Sequence, residues 1–159
     1  MKFEVKMIED HHKIDLKKMA TWFFETWGRD DGFSFEKAVQ FMQYSFNKNR
    51  LPKTFVAFDE NGEEVGMCQL TMHDVISRPD IYPFLANLYV VPEHRKKGIA
   101  RALNDALVKT AKKEGLNEIF LYTPIVDFYE KLGWKYVEDI QTFCTPNIQR
   151  LYKYDLTKK

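Results

Sequence analysis

This sequence is poor in cysteine, has no long apolar stretch and carries no excess of either charge, and each shortage removes a class of protein. Cys68 and Cys144 are its two thiols, far apart, with neither a Cys-x-x-Cys pair nor the Cys/His spacing that holds zinc. A disulfide framework and a zinc module are therefore excluded, and both thiols are expected to be reduced and structural. His11 and His12 are adjacent, so on a helix they point in different directions and cannot share a metal ion; no metal site is expected. No window approaches the roughly 20 apolar residues of a membrane span. The opening Met1-Lys-Phe-Glu-Val-Lys-Met is broken by charge at every second residue, unlike a signal peptide, so a cytoplasmic protein without membrane contact is expected. Lys and Arg number 24 against 23 Asp and Glu, a net charge of +1, which is too balanced for a surface given over to nucleic acid or anionic lipid. Any basic function must be local.

What is present is an ordinary globular composition, 45% hydrophobic and 30% charged over 159 residues, the size of a single domain spanning 1–159. The apolar period switches repeatedly between 2 and 3.6, which marks a mixed α/β chain. Phe3, Val5 and Met7 alternate with charged residues and predict a strand. Asp15 to Trp27 predicts a helix with Gly28 as its stop, and Ser34 caps a second helix over Phe35 to Phe46. Thr54 to Asp59 and Glu64 to Met72 read as a hairpin around a tight Asn61-Gly62 turn. Phe84 to Val91 is a nearly continuous apolar run, hence a central strand. Gly98 to Glu114 follows as a long helix stopped by Gly115, and Glu118 to Tyr122 can pair parallel with the Phe84 strand through that crossover. Val126 to Leu132 predicts a short helix closed by Gly133, and Trp134 to Ile140 and Arg150 to Leu156 a final antiparallel pair.

The stretch Pro92-Glu-His-Arg-Lys-Lys-Gly-Ile-Ala100 places a basic turn and a glycine between a strand and a helix N-terminus. The first turn of a helix has unsatisfied N–H donors and a positive dipole end, and Gly98 and Ala100 add no bulk to keep an anion away. Arg95, Lys96, Lys97 and Arg101 put charge at the same place, which suits a phosphate and equally describes a solvated basic helix start. The segment is neither a nucleotide P-loop nor a dinucleotide fingerprint.

Leu88 to Leu103, with Arg95-x-x-Gly98-x-Ala100 at its centre, resembles the signature of the GNAT superfamily of acyl-CoA-dependent N-acyltransferases. Asp127-Phe-Tyr-Glu-Lys-Leu-Gly-Trp134 is similar to a second element of that family. The resemblance implies an N-acetyltransferase with a mixed α/β (α+β), mostly antiparallel twisted sheet, a central parallel βαβ unit and helices on both faces. It further implies acetyl-CoA as co-substrate, its pantetheine arm along the backbone of Leu88, Tyr89 and Val90. The pyrophosphate would then lie over the N–H groups of the Arg95, Lys96, Lys97, Gly98, Ile99, Ala100 and Arg101 segment. The cleft would be the gap between the Phe84 and Glu118 strands.

Acyl transfer needs a neutral amine, a stabilised oxyanion and a proton for the departing thiolate. By position in the second motif, Tyr129 is the candidate general acid. His73, Asp74, Asn87 and Glu93 are the candidates for the base, Asp74 also to draw a cationic amine and Asn87 to hold water, the resemblance equally allowing deprotonation through ordered water with no single base; Trp27 is a candidate substrate contact. Many relatives carry an Asn shortly before the Tyr; here Tyr122-Thr-Pro-Ile-Val-Asp-Phe has none, and Thr123 or backbone must substitute. Asp30-Asp31 could attract a polyamine, an aminoglycoside or a peptide N-terminus, and is read first as a solvated loop. A small-molecule or peptide amine is the expected partner and a homodimer is left open. Two alternatives stand: a non-catalytic acyl-CoA-binding regulatory module, against which Tyr129 argues, and a nucleic-acid-binding domain using the Arg95–Arg101 loop.

Overall fold

A computed structural model describes residues 2–143 and 148–158, so Cys144 lies outside the described residues. Seven strands form one sheet: β1 (Phe3–Ile8), β2 (Lys53–Asp59), β3 (Glu64–Thr71), β4 (Phe84–Val90), β5 (Glu118–Thr123), β6 (Lys135–Gln141) and β7 (Ile148–Asp155). Their order is β1-β2-β3-β4-β5-β7-β6, with β4 in the middle, and every pairing is antiparallel except β4 with β5. The crossover between those two is α3 (Ile99–Lys113), stopped by Gly115 at φ +81°.

Helices α1 (Leu16–Phe23) and α2 (Phe35–Gln43) pack together on one face, where Trp22 stacks on Tyr89 and Gln69 meets the Met42 sulfur. Helix α3 lies on the other face. Ile99, Leu103, Leu107 and Ala111 are fully buried there, and Gly66 lets the helix approach, since a Cβ on it would meet Leu103 at 3.3 Å and the Tyr89 carbonyl at 3.0 Å. A smaller cluster of Val75, Ile81, Phe84, Ile140 and Leu151 holds the β3–β4 connection against the β6–β7 side.

Four local expectations are corrected. Gly28 does not stop the first helix: α1 passes into a π-helical turn over Phe24–Gly28, Arg29 is still helical at φ −59°, and Gly32 at φ +87° makes the break. Gly28 is required by packing instead, because a Cβ there would stand 2.9 Å from the Phe23 ring. Helix α2 ends at Gln43 rather than Phe46, where the Ser45 hydroxyl turns back to the Phe41 carbonyl at 2.7 Å. In the hairpin only Gly62 has positive φ, and the Gly62 N–H donates to the Asp59 carbonyl, so the turn is a type I turn followed by a glycine bulge. The expected helix from Val126 is a single 3₁₀ turn, Tyr129–Leu132, because Asp127 at φ +65° breaks the helical path before it.

Candidate active site at the opening between β4 and β5

Strands β4 and β5 share one register pair, Phe84 with Phe120, beside a hydrogen bond from the Phe120 N–H to the Pro83 carbonyl. Beyond it they diverge. The cause lies in β4, where Tyr89 pairs with Met67 but Ala86 pairs with Gln69, so β4 carries one residue more than β3 between those points. This is a β-bulge, and Asn87 inside it takes φ +55°, a conformation asparagine tolerates better than most residues. The Val91 N–H donates to Val65 across β3, and alternation therefore turns the Val90 N–H and carbonyl toward the β5 side.

The turn after β4 is a 3₁₀ turn, Pro92–His94, followed by Arg95, Lys96 and Lys97, with Gly98 at φ +87° capping α3. The first α3 bond runs from the Ala102 N–H to the Gly98 carbonyl. Among the described residues, none of the six consecutive N–H groups from Lys96 to Arg101 donates to a carbonyl. An ideal Cβ on Gly98 would meet nothing within 4 Å, so its glycine serves the left-handed turn rather than protein packing. Lys96, Lys97 and Arg101 are exposed. Arg95 is exposed too, but its Nε donates to the Val90 carbonyl at 2.8 Å and its guanidinium lies 5.6 Å from the centre of the Tyr89 ring, while Arg101 donates to the Lys131 carbonyl at 3.4 Å. Arg95 braces the end of β4 as well as adding charge.

Tyr129 is 7% exposed and enclosed by Phe128, Trp134 and Tyr152, with ring centroids 4.9, 6.3 and 6.2 Å away. Two ties hold that enclosure. The Trp134 Nε1–H donates to Asn104 of α3 at 2.8 Å, and the Tyr152 hydroxyl, receiving the Arg150 Nε–H at 2.9 Å, donates to Glu130 at 3.0 Å. The Tyr129 hydroxyl has no hydrogen-bond partner among the described residues. Burial pushes its pKa up, and the nearby Cys68 adds to the shift, so the phenol stays protonated across the physiological range. Cys68 itself is buried against the Leu103 carbonyl, and burial pushes its thiol up as well; it is structural and unreactive.

On the α1–α2 face the loops after α1 and β3 come together. Asp74 is half-buried and its carboxyl is pushed up to about 7 by burial, with the Asp31 carboxylate adding to the shift. Asp31 and Asp30 are exposed, and Asp31 is raised by partial burial and by Asp30. Trp27 is half-buried against Phe23. His73 is exposed beside Tyr82, and Glu93 is exposed in the 3₁₀ turn. Asn87 donates its Nδ2–H to Gln69 at 2.7 Å. Thr123 is buried, and its hydroxyl accepts the Ile125 N–H at 3.1 Å, closing the turn after β5.

Gln69, Asn104 and the Glu130–Tyr152 pair were not singled out by sequence reasoning. The signal that could have flagged Gln69 is a lone amide within the apolar run from Val65 to Leu70. A shallow concavity at the β1–β2 edge, lined by Lys6, Glu9, Lys13 and Asp59 among others, has mixed charge and includes none of these residues. Among the described residues no group of three or more His, Cys, Asp or Glu could hold a metal ion, and no helix is long and apolar enough to cross a membrane.

A family model described as the acetyltransferase (GNAT) family matches residues 16–134. An uncharacterized N-acetyltransferase of Chlorobaculum tepidum is 29% identical over 86 residues, 54% of this chain and 52% of that protein. N-alpha-acetyltransferase 30 of Schizosaccharomyces pombe is 33% identical over 108 residues, 65% of this chain and 63% of that protein. The chain thus spans about half to under two thirds of the length of these relatives. An aminoglycoside 6'-N-acetyltransferase solved with coenzyme A superposes with a TM-score of 0.75 at 18% identity over 98% of each chain. A spermidine N-acetyltransferase mutant from Vibrio cholerae superposes at 0.70 and 18% identity, over 98% of this chain and 94% of that one. At such identities the likeness is one of fold.

Proposed function

Since this chain belongs to the acetyltransferase (GNAT) family, we propose that it transfers an acetyl group from acetyl-CoA to a primary amine that arrives as a cation, by direct attack within a ternary complex. The observation that carries the proposal is the run of six unbonded N–H groups, Lys96 to Arg101, opening beside two strands that share a single register pair. Donors of this kind at a helix N-terminus fit a pyrophosphate, with Arg101 and the two lysines supplying charge. The backbone of Leu88, Tyr89 and Val90, on the strand leading into that cradle, fits an extended pantetheine arm.

The amine must lose a proton before its nitrogen can attack the acetyl carbonyl. Asp74, with a carboxyl near 7, accepts hydrogen bonds from an ammonium and is close enough to neutrality in affinity to take its proton. Asp31, whose charge already acts on Asp74, adds attraction for the cation. As the new C–N bond forms and the C–S bond breaks, Tyr129 donates its phenolic proton to the sulfur and regains one from solvent. Burial makes that phenol a weaker acid, but it raises the basicity of a thiolate in the same enclosure too, so the proton match is kept. The named activities of the aminoglycoside and spermidine enzymes of the same fold support a polycationic acceptor for this chain.

The test has two arms. Acetyl-CoA, CoA and a DNA oligonucleotide are compared by thermal shift, where a ligand at 100 times its Kd adds about 2.7 kcal/mol of stability. A panel of spermidine, an aminoglycoside and a tripeptide with a free α-amine is then followed by CoA release. Stabilisation by acetyl-CoA with turnover on a panel amine is expected; stabilisation by the oligonucleotide alone overturns the assignment.

A further inference from the structure

A buried chain of hydrogen bonds crosses the sheet beneath the acceptor side, and its direction is fixed at one end. The Thr54 hydroxyl donates to the Ser45 main-chain carbonyl at 2.6 Å. A carbonyl can only accept, so the single hydroxyl proton of Thr54 is committed and its oxygen is left to accept. Gln69, the cross-strand partner of Thr54, donates to that oxygen from Nε2 at 3.3 Å and directs Nε2 to the Met42 sulfur at 3.6 Å. Both amide protons of Gln69 are then spent, and Oε1 is its remaining polar atom. Asn87 must therefore present Nδ2 to Gln69, as it does at 2.7 Å. The opposite amide orientation would face two carbonyl oxygens across that distance and leave a buried acceptor unsatisfied, disfavouring it by roughly ten- to a hundredfold. Thr54, Gln69 and Ser45 are each no more than 1% exposed, so water does not relax the constraint.

The consequence falls on Asn87, half-buried in the bulge, whose Oδ1 has no partner among the described residues. The phosphate cradle lies at the carboxyl end of β4. An arm running back from it along Val90, Tyr89 and Leu88 brings its reactive end to Asn87. We propose that Asn87 Oδ1 accepts a hydrogen of the attacking amine and so aims the nitrogen lone pair at the acetyl carbonyl, with Gln69 and Thr54 as positioning residues that hold the amide in this orientation. This rests on the acetyl-transfer assignment above. It gives a substrate contact to a neutral side chain, which orients the nucleophile without competing with Asp74 for its proton.

Three variants test it. Thr54→Val deletes the hydroxyl at nearly constant volume, Thr54→Ser restores it, and Asn87→Gly removes the amide while suiting the left-handed backbone. Steady-state kinetics with spermidine and the free-amine tripeptide, acetyl-CoA calorimetry and side-chain amide hydrogen exchange on ¹⁵N-labelled protein are the readouts. Thr54→Val and Asn87→Gly are expected to lower kcat/KM for the amine roughly ten- to a hundredfold. Their acetyl-CoA affinity should stay within about twofold and Thr54→Ser should recover the activity. One Asn87 amide proton should exchange slowly in the parent protein and rapidly in Thr54→Val. An unchanged kcat/KM in Asn87→Gly, or a parallel loss of acetyl-CoA affinity, overturns the proposal. Should Thr54→Val fail to fold, Asn87→Gly decides alone. A parent protein that acetylates neither probe nor any other panel amine defeats the acetyl-transfer assignment itself. A slow Asn87 proton in that case would show that the amide is held but serves something else, which overturns its role toward the amine.

Discussion

On the cradle side of the β4–β5 opening, six main-chain N–H groups from one continuous stretch have no carbonyl partner among the described residues, and their placement follows from the backbone path. On the α1–α2 side, Asp31, Asp74, Asn87 and Gln69 come from separate loops and strands, and each depends on its neighbours for charge state or orientation. The first arrangement tolerates side-chain change as long as the backbone path survives. The second loses its properties when any one member goes, because a buried amide or carboxyl left without its partner relaxes or changes ionisation. A cofactor common to many reactions suits the former; a particular acceptor suits the latter.

Tyr129, enclosed by Phe128, Trp134 and Tyr152 and belonging to neither group, offers the largest effect. Tyr129→Phe keeps the aromatic enclosure and removes the proton, so kcat should fall by about 10²- to 10⁴-fold with acetyl-CoA affinity intact. Affinity falling in step would make the hydroxyl part of the cradle side, and an undiminished kcat would remove it from the chemistry.

Gly98→Val asks whether the cradle is truly a backbone device. Forcing a β-branched residue into φ +87° costs about 1–2 kcal/mol, a loss of roughly 5- to 30-fold in acetyl-CoA affinity by calorimetry. Lys96→Ala, by contrast, should cost less than about fivefold. Equal or reversed losses would turn the cradle into simple charge attraction and erase the contrast between the two sides.

The acceptor side is sharpened by pH. The Asp74 carboxyl sits near 7 against an ordinary value of about 3.9, so it binds its proton more tightly folded than unfolded. Folding stability from this group is full below about pH 4 and is lost as pH rises toward about 7, and Asp74→Asn should flatten that part of the melting-temperature curve. In parallel, kcat/KM for the amine should rise through about pH 7 in the parent protein and lose that limb in the variant. A retained limb would assign the base elsewhere.

The smallest expected effect is ionic. Raising salt from about 10 to 150 mM shortens the Debye length from about 30 to 8 Å and should slow acetyl-CoA association, as measured by stopped flow. A salt-independent on-rate would strip the exposed lysines of a steering role and leave the N–H groups standing.

Residue order alone determined the strand at Phe84, a glycine at the start of the helix after it and that helix itself, because each depends on neighbours a few positions away; that Gly98 is left-handed came from the structure. The fold class followed from the switching period, while local detail moved: Gly28 proved to be a packing glycine with Gly32 the true stop, and the expected helix from Val126 shrank to one 3₁₀ turn. What tertiary structure decided is everything set by distant partners. That β4 gains a residue against β3 at Asn87 is a matter of register, which no local pattern in β4 encodes. The bracing of Arg95 on Val90 and Tyr89, the shift of Asp74 under Asp31, and the polarity of the Thr54–Gln69–Asn87 chain exist only once separate segments are packed together. Hydrogen-bond direction and desolvation are properties of surroundings, and in this protein those surroundings are assembled from residues dozens of positions apart.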